Sequence, residues 1–356
     1  MANRPKSRWL PLAIAAFGLQ TALTAAPIAA LAQTDRVQPI EVTARPITRF
    51  QATDPRRQRF GPLEFRGGLV LSSENSAFGG WSGLTVEPDG KRFLAVSDEG
   101  TWLSGEIAYD GTAPAGIRKA SIGPIRALKG RHLDKKRDLD AEAIRALDGS
   151  LTKGTVLVGF ERNHRIGVFP VIEGSLEPPT RYLKLPVEAR RMKANKGFEA
   201  VAVLRDGPYK GSVVAFSERF PGEISRHAGW LWVNGEPQRI ELTDIGDFEI
   251  TDAASLADGR LLILERRFRW TEGVKMRLRL IAAEAVRPGA RLDGEVLIEA
   301  DLASEIDNME GLAVHRAPAG ETVLTLISDN NFNSLLQRNV LLQFTLTSDG
   351  KAAGRP

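Results

Sequence analysis

The chain has 356 residues, 48 Lys and Arg against 44 Asp and Glu for a formal charge of +4, and no cysteine. The absence of Cys excludes a disulfide framework, so stability rests on core packing and on any bound metal. Lysines and arginines are scattered among acids, and no zinc-finger, basic-zipper or RNP-type sequence occurs, which excludes nucleic acid as the expected partner.

The first 32 residues carry Arg4, Lys6 and Arg8 with no acid, then an apolar run from Trp9 to Leu31 that ends in Ala30-Leu31-Ala32. That order is the one found in a Sec-type signal peptide and predicts a periplasmic or secreted protein. A retained anchor is the alternative, but Gln20, Thr21, Thr24 and Pro27 interrupt the run, and a span wants about 20 predominantly apolar residues. No stable membrane insertion is therefore expected after cleavage. Removing residues 1–32 takes three positive charges from +4 and leaves +1, so the basic balance says little about partners. Residues 33–58, with Pro39, Pro46 and Pro55 among charges, read as an extended tail or linker. Residues 59–348 read as one repeat domain, and 349–356 as a C-terminal tail.

A recurring block runs through the domain: a small-residue turn leads a strand, and an acidic cluster ends the next strand. Its copies open at Trp81-Ser82-Gly83, Asp140-Ala141-Glu142, Gly197-Phe198-Glu199, Thr251-Asp252-Ala253 and Asn308-Met309-Glu310. Anchored on Ser82, Glu142, Glu199, Asp252 and Glu310, the spacings are 60, 57, 53 and 58 residues, too regular for unrelated loops. Four copies carry Asp-Gly between the two strands, at Asp89-Gly90, Asp148-Gly149, Asp206-Gly207 and Asp258-Gly259; Asp-Gly supplies the positive φ of a tight hairpin. Two further strand-like runs follow each hairpin, for example Arg277–Ile281 and Glu295–Glu299. Four strands per repeat predict an all-β fold, a β-propeller of five blades, with six as the alternative. The last copy has only three strands, and Leu63–Leu71 can supply the missing outer strand and close the ring.

In a propeller the loop into each inner strand opens on the channel mouth, so residues at matching repeat positions converge. The leading set is Glu142, Glu199, Asp252 and Glu310, with Ser82 as its neutral member. The trailing set is Asp98, Glu99, Glu161, Glu218, Glu265 and Asp329, joined by Asn163 and Asn330. Acids gathered this closely need protons, arginines or a cation to balance them. An oxygen-only donor set suits a hard ion, Ca²⁺ first and Mg²⁺ second. The expected metal ligands are Glu142, Glu199, Asp252, Glu310, Asp98, Glu161 and Asp329, and the expected catalytic carboxylates Glu199, Glu218 and Glu265. For any one acid the plainer reading is a carboxylate that fixes its turn by accepting backbone N–H bonds. Arg162, Arg219, Arg266 and Arg267 follow the trailing acids; the first three are the expected clamps for an anionic substrate. Ion pairs between blades satisfy the same geometry.

His132, His164, His227 and His315 are isolated, with no His-Glu-x-x-His pattern; His164, near a trailing cluster, reads as a surface-loop residue before it reads as an acid or base. Gly80-Trp81-Ser82-Gly83-Leu84 lacks the second glycine of a nucleophile elbow and leads into a hairpin instead of a helix. P-loop and dinucleotide fingerprints are absent.

The blocks Gly80–Leu84, Lys196–Ala200, Ser217–Phe220, Leu264–Phe268 and Met309–Ala313 resemble the phytase-like family described as "esterase-like activity of phytase", over roughly Phe60 to Leu346. The resemblance implies an exported bacterial propeller with hydrolase activity, distantly similar to β-propeller phytases, which bind several calcium ions through acidic clusters and hold phosphate with lysine and arginine. The acidic clusters here are thinner, one or two acids per blade turn. The expectation is a monomeric, exported, metal-dependent hydrolase of small anionic phosphate or carboxylic esters. A gluconolactonase-like lactonase, or a non-catalytic propeller that binds a ligand or partner, are the alternatives.

Overall fold

The computed structural model describes residues 35–347; the signal-peptide reading of 1–32 and the tail at 349–356 lie outside them. The fold is all-β, with five antiparallel sheets in chain order. Their inner strands are Trp81–Val86, Ala141–Gly149, Phe198–Val203, Glu249–Ser255 and Asn308–Arg316. Each inner strand touches the next, and the fifth touches the first. The sheets are thus the blades of a five-bladed propeller.

The Asp-Gly reversals fall where the spacing puts them. Gly90, Gly149, Gly207 and Gly259 all have φ between 70° and 83°, a region that glycine enters at little cost. Each inner strand is thereby returned along its neighbour, and side chains alternate between the two faces of the sheet. Both faces are apolar, and each packs on the adjoining blade. Five separate apolar clusters result, one at each blade junction, built around residues such as Phe344 with Met309, Trp81 with Leu341, Phe216 with Ile263, Trp230 with Phe198, and Trp102 with Phe160. Each such ring, fully withdrawn from water, contributes roughly 1.5–3 kcal/mol.

Ring closure follows the expected route. Leu63–Ser72 pairs antiparallel with Asn339–Leu346, so the first long strand completes the last blade. Residues 35–58 are not the free tail or linker that their prolines predict. Gln38–Pro39 pairs with the outer strand of blade 1, Thr43–Ile47 pairs with Leu63–Ser72 of blade 5, and Phe50 is buried among Phe60, Phe65 and Phe344. The segment is a second clasp across the junction that closes the ring. Pro39 and Pro46 are accommodated because both strands lie at sheet edges, where a missing N–H breaks no central ladder. Among the described residues no helix is long and apolar enough to cross a membrane.

Candidate functional site

Every inner strand carries a β-bulge in its first turn of pairing. The unpaired residue is Ser82 between Trp81 and Gly83, Glu142 between Ala141 and Ala143, Glu199 between Phe198 and Ala200, Thr251 between Ile250 and Asp252, and Glu310 between Met309 and Gly311. A bulge re-aims one side chain out of the regular alternation, so these five converge at one end of the channel. Blade 4 corrects the expected set: its bulged residue is Thr251, and Asp252 lies one position further along the strand.

Second strands return to this end with a residue beside the entry of each inner strand. The backbone N–H groups of Asp98, Glu161 and Glu218 donate to the carbonyls of Gly80, Asp140 and Gly197 at 3.2, 3.0 and 3.0 Å. Arg266 faces Glu249, and Asp329 faces Asn308, at the same level of blades 4 and 5. Here too blade 4 is out of step, with Arg266 standing where the other blades have an acid.

Eight carboxylates and one guanidinium therefore line the mouth: Glu142, Glu199 and Glu310 from bulges, Asp98, Glu161, Glu218 and Asp329 from strand ends, Asp140 ahead of the Glu142 bulge, and Arg266. Two triads have oxygens that all approach within 4.8 Å of one another, Asp140 with Glu142 and Glu161, and Glu161 with Glu199 and Glu218. Glu161 belongs to both. Asp140 was missed as a site residue in the sequence, although it stands two residues before the Glu142 bulge.

Counter-charges sit at the flanks. Lys136 Nζ contacts Asp98, Glu99 and Asp140 at 2.7, 3.0 and 3.1 Å; Lys196 Nζ contacts Glu218 and Glu249 at 2.7 and 3.3 Å; Arg266 contacts Glu310 at 2.6 Å. Among the described residues Glu142, Glu161, Glu199 and Asp329 have no ion-pair partner. Burial, then the Glu310 and Asp98 carboxylates, push Glu142 well above the usual carboxylate range; burial, then Glu142 and Glu218, do the same to Glu199; burial, then Glu310 and Asp98, to Asp329. Burial raises Glu161 to about 7 and, with Glu249, Glu218 to about 8. Glu142, Glu199 and Glu310 keep some exposed surface, yet protein walls the mouth on most sides, and that enclosure sets their proton affinity.

Two expected site residues lie elsewhere. Asp252 is fully buried and accepts from Arg145 Nη2 at 2.8 Å, the Leu312 N–H at 2.7 Å and the Ala253 N–H at 2.8 Å. Glu265 is equally buried, held inside blade 4 by Arg277 at 2.7 Å and Arg279 at 2.5 Å; it is neither at the mouth nor placed to act on a substrate there. The expected clamps are largely committed: Arg162 pairs with Asp140 at 2.8 Å, and Arg219 with Asp244 at 2.8 Å. Of the three, Arg266 alone pairs with a bulge carboxylate, Glu310, while Arg162 reaches the first triad only through Asp140. Asn163 donates to Asp138, and Asn330 accepts from the Gly80 N–H. The His164 ring packs edge-on against Phe198.

Below the mouth, Arg145 closes the channel. Its guanidinium donates to the carbonyls of Val201, Leu84 and Leu312 at 3.0, 3.2 and 2.7 Å as well as to Asp252. These groups belong to blades 3, 1, 5 and 4, so a side chain from blade 2 ties the other four together. A fully desolvated guanidinium is tolerated because its charge is paired and its donors are used.

A family model described as phytase-like, esterase-like activity of phytase, matches residues 76–332. No curated protein matches. Among solved structures the chain is similar to the crystal structure of Chaetomium thermophilum Raptor, at 10% identity over 88% of this chain and 30% of that chain, with a TM-score of 0.39. A likeness that distant, to less than a third of the other protein's length, bears on no functional argument.

Proposed function

Since the chain belongs to the phytase-like family, a family of hydrolase-type propellers, we propose that it is an exported hydrolase of small anionic phosphate or carboxylic esters. Its active site would be the carboxylate mouth loaded with a divalent cation. The observation that carries the reading is the pair of triads sharing Glu161, three of whose members, Glu142, Glu161 and Glu199, have no ion-pair partner among the described residues. Oxygen donors without sulfur or imidazole fit a hard ion, calcium before magnesium. Asp140, Glu142, Glu161, Glu199 and Glu218 would hold it. When bound, such an ion polarises an ester oxygen and makes a nearby water more acidic.

The chain's own groups have separate tasks in this scheme. Lys136 and Lys196 hold Asp98, Asp140 and Glu218 in place from the flanks. Arg266, the cation inside the ring, has its Nη1 held by Glu310 and Asn308 and would take the anionic oxygens of the substrate with Nε and Nη2, a bidentate match for phosphate or carboxylate. Export rests on the basic, apolar and small-residue order of residues 1–32.

The test is hydrolysis of chromogenic phosphate and acyl esters by the purified protein before and after chelation. Turnover that chelation abolishes and calcium restores supports the proposal; failure to turn over either ester with any divalent ion overturns it.

A further inference from the structure

The C-terminal ends of all five inner strands surround a second cavity, of about 530 Å³, at the end of the channel opposite the carboxylates. That size lies within the range of sites for small ligands, roughly 300–1,000 Å³. Arg145 forms its inner wall and separates it from the acidic mouth. Its character is the reverse of that mouth. Arg145, Arg205 and Arg316 line it against a single lining carboxylate, Asp148.

The Arg145 charge is matched by Asp252, but the other two guanidiniums have no acid partner among the described residues. Arg205 donates to the Ala146 carbonyl at 2.8 Å, and Arg316 reaches the Gly320 carbonyl at 3.4 Å. A carbonyl accepts a hydrogen bond without neutralising the charge, and arginine does not discharge at physiological pH. Arg205 keeps exposed surface, but the protein around its guanidinium and then the neighbouring Arg145 disfavour its charged form, which an anion in the cavity would relieve. His315, only 6% exposed, forms part of the wall, and its Nδ1 has no hydrogen-bond partner among the described residues. Val86, Leu147, Val203 and Val314 supply apolar surface beside these groups.

We infer that this far end of the channel is a second binding site, for a small organic anion whose charged head lies between Arg205 and Arg316 and whose short apolar body packs on the valine and leucine walls. The site shares no residue with the carboxylate mouth, so it is independent of the catalytic proposal.

Titration calorimetry on the full chain with hexanoate, hexyl phosphate and hexanol tests it, using Arg205→Gln, Arg316→Gln and, at the other mouth, Glu199→Gln. Arg205 and Arg316 are exposed enough that both variants should fold, which unchanged melting temperatures would establish. The expected result is saturable 1:1 binding of at least one anion, hexanol at least ten-fold weaker, a loss of ten-fold or more in Arg205→Gln and Arg316→Gln, and no change in Glu199→Gln. The better of the two anions identifies the head group. Equal affinity for hexanol, no binding of either anion, or binding that Glu199→Gln removes while Arg205→Gln keeps it would overturn the assignment.

Discussion

Arg145 Nη2 donates to Asp252 Oδ1 at 2.8 Å, and both side chains are almost completely buried. Because the same guanidinium reaches the carbonyls of three further blades, the pair is a central fastening of the ring and not part of its chemistry. Breaking a buried pair by removing one partner strands the other charge, at a cost of about 3–5 kcal/mol. Arg145→Met and Asp252→Asn should each lower the unfolding free energy, extrapolated from urea titration, by that order. The double variant should lose less than the sum, since the two effects are coupled; additive losses would show that the pair is not a unit. Asp252→Asn should leave calcium affinity unchanged.

Glu265 accepts from two buried arginines, Arg277 and Arg279. Glu265→Gln keeps the shape and removes the charge that balances them, so a destabilisation of about 3–5 kcal/mol is expected. In folded Glu265→Gln, measured well below its melting temperature, ester turnover should stay within about two-fold of wild type. A hundred-fold fall in kcat without loss of stability would restore Glu265 to the catalytic set.

Glu161 and Glu218 bind protons more tightly in the fold, at about 7 and about 8, than the ordinary value of 4.5. The folded state then carries more protons than the unfolded one, and stability falls as pH rises through 7 and 8. His315, pushed down to about 4 by burial, has the opposite sign: its contribution is present above 6.5 and lost as pH falls below it. Between pH 6.5 and pH 8.5 the carboxylates therefore outweigh the histidines, and Asp252, raised to about 7 by burial, adds to the same fall. The metal-free protein should melt several degrees lower at pH 8.5, at roughly 2–4 °C per kcal/mol. Excess calcium, which competes with these protons, should raise the melting temperature more at pH 8.5 than at pH 6.5. A metal-free protein more stable at pH 8.5 would contradict the raised proton affinities.

Gly83 occupies the position after the first bulge, and a Cβ there would approach the Ile144 nitrogen of the next inner strand to 2.7 Å. Backbone cannot yield cheaply at the centre of a closed ring. Gly83→Ala should destabilise by about 1–3 kcal/mol, as overpacking does, measured by thermal unfolding; a neutral effect would mean that the inner strands are less tightly apposed.

The repeat was legible because the blades restate it: Asp-Gly turns in four copies, the strand after each turn and the acids at strand ends recur at spacings of 53 to 60 residues, and Leu63–Leu71 could complete blade 5. The fault lay in blade 4. Aligning by residue type matched Asp252 with Glu199 and Glu265 with Glu218, whereas the pairing of Ile250 with Glu265 puts Thr251 in the bulge and Arg266 at the mouth. A shift of one residue sends a strand's side chains to the opposite face, and nothing in a single repeat fixes it. The Arg145 plug was equally hidden, since its partners come from four other blades. Pro39 and Pro46 suggested a tail because proline is foreign to central strands, and edge strands tolerate it.

If the carboxylates meeting at Glu161 hold a divalent cation, calorimetric titration of calcium into chelator-treated protein at pH 8 will register it. Saturable binding in the wild type, weakened at least ten-fold in Glu161→Gln and retained in Asp252→Asn, is the predicted result. Wild-type affinity in a folded Glu161→Gln, or no binding to the wild type at all, would contradict it.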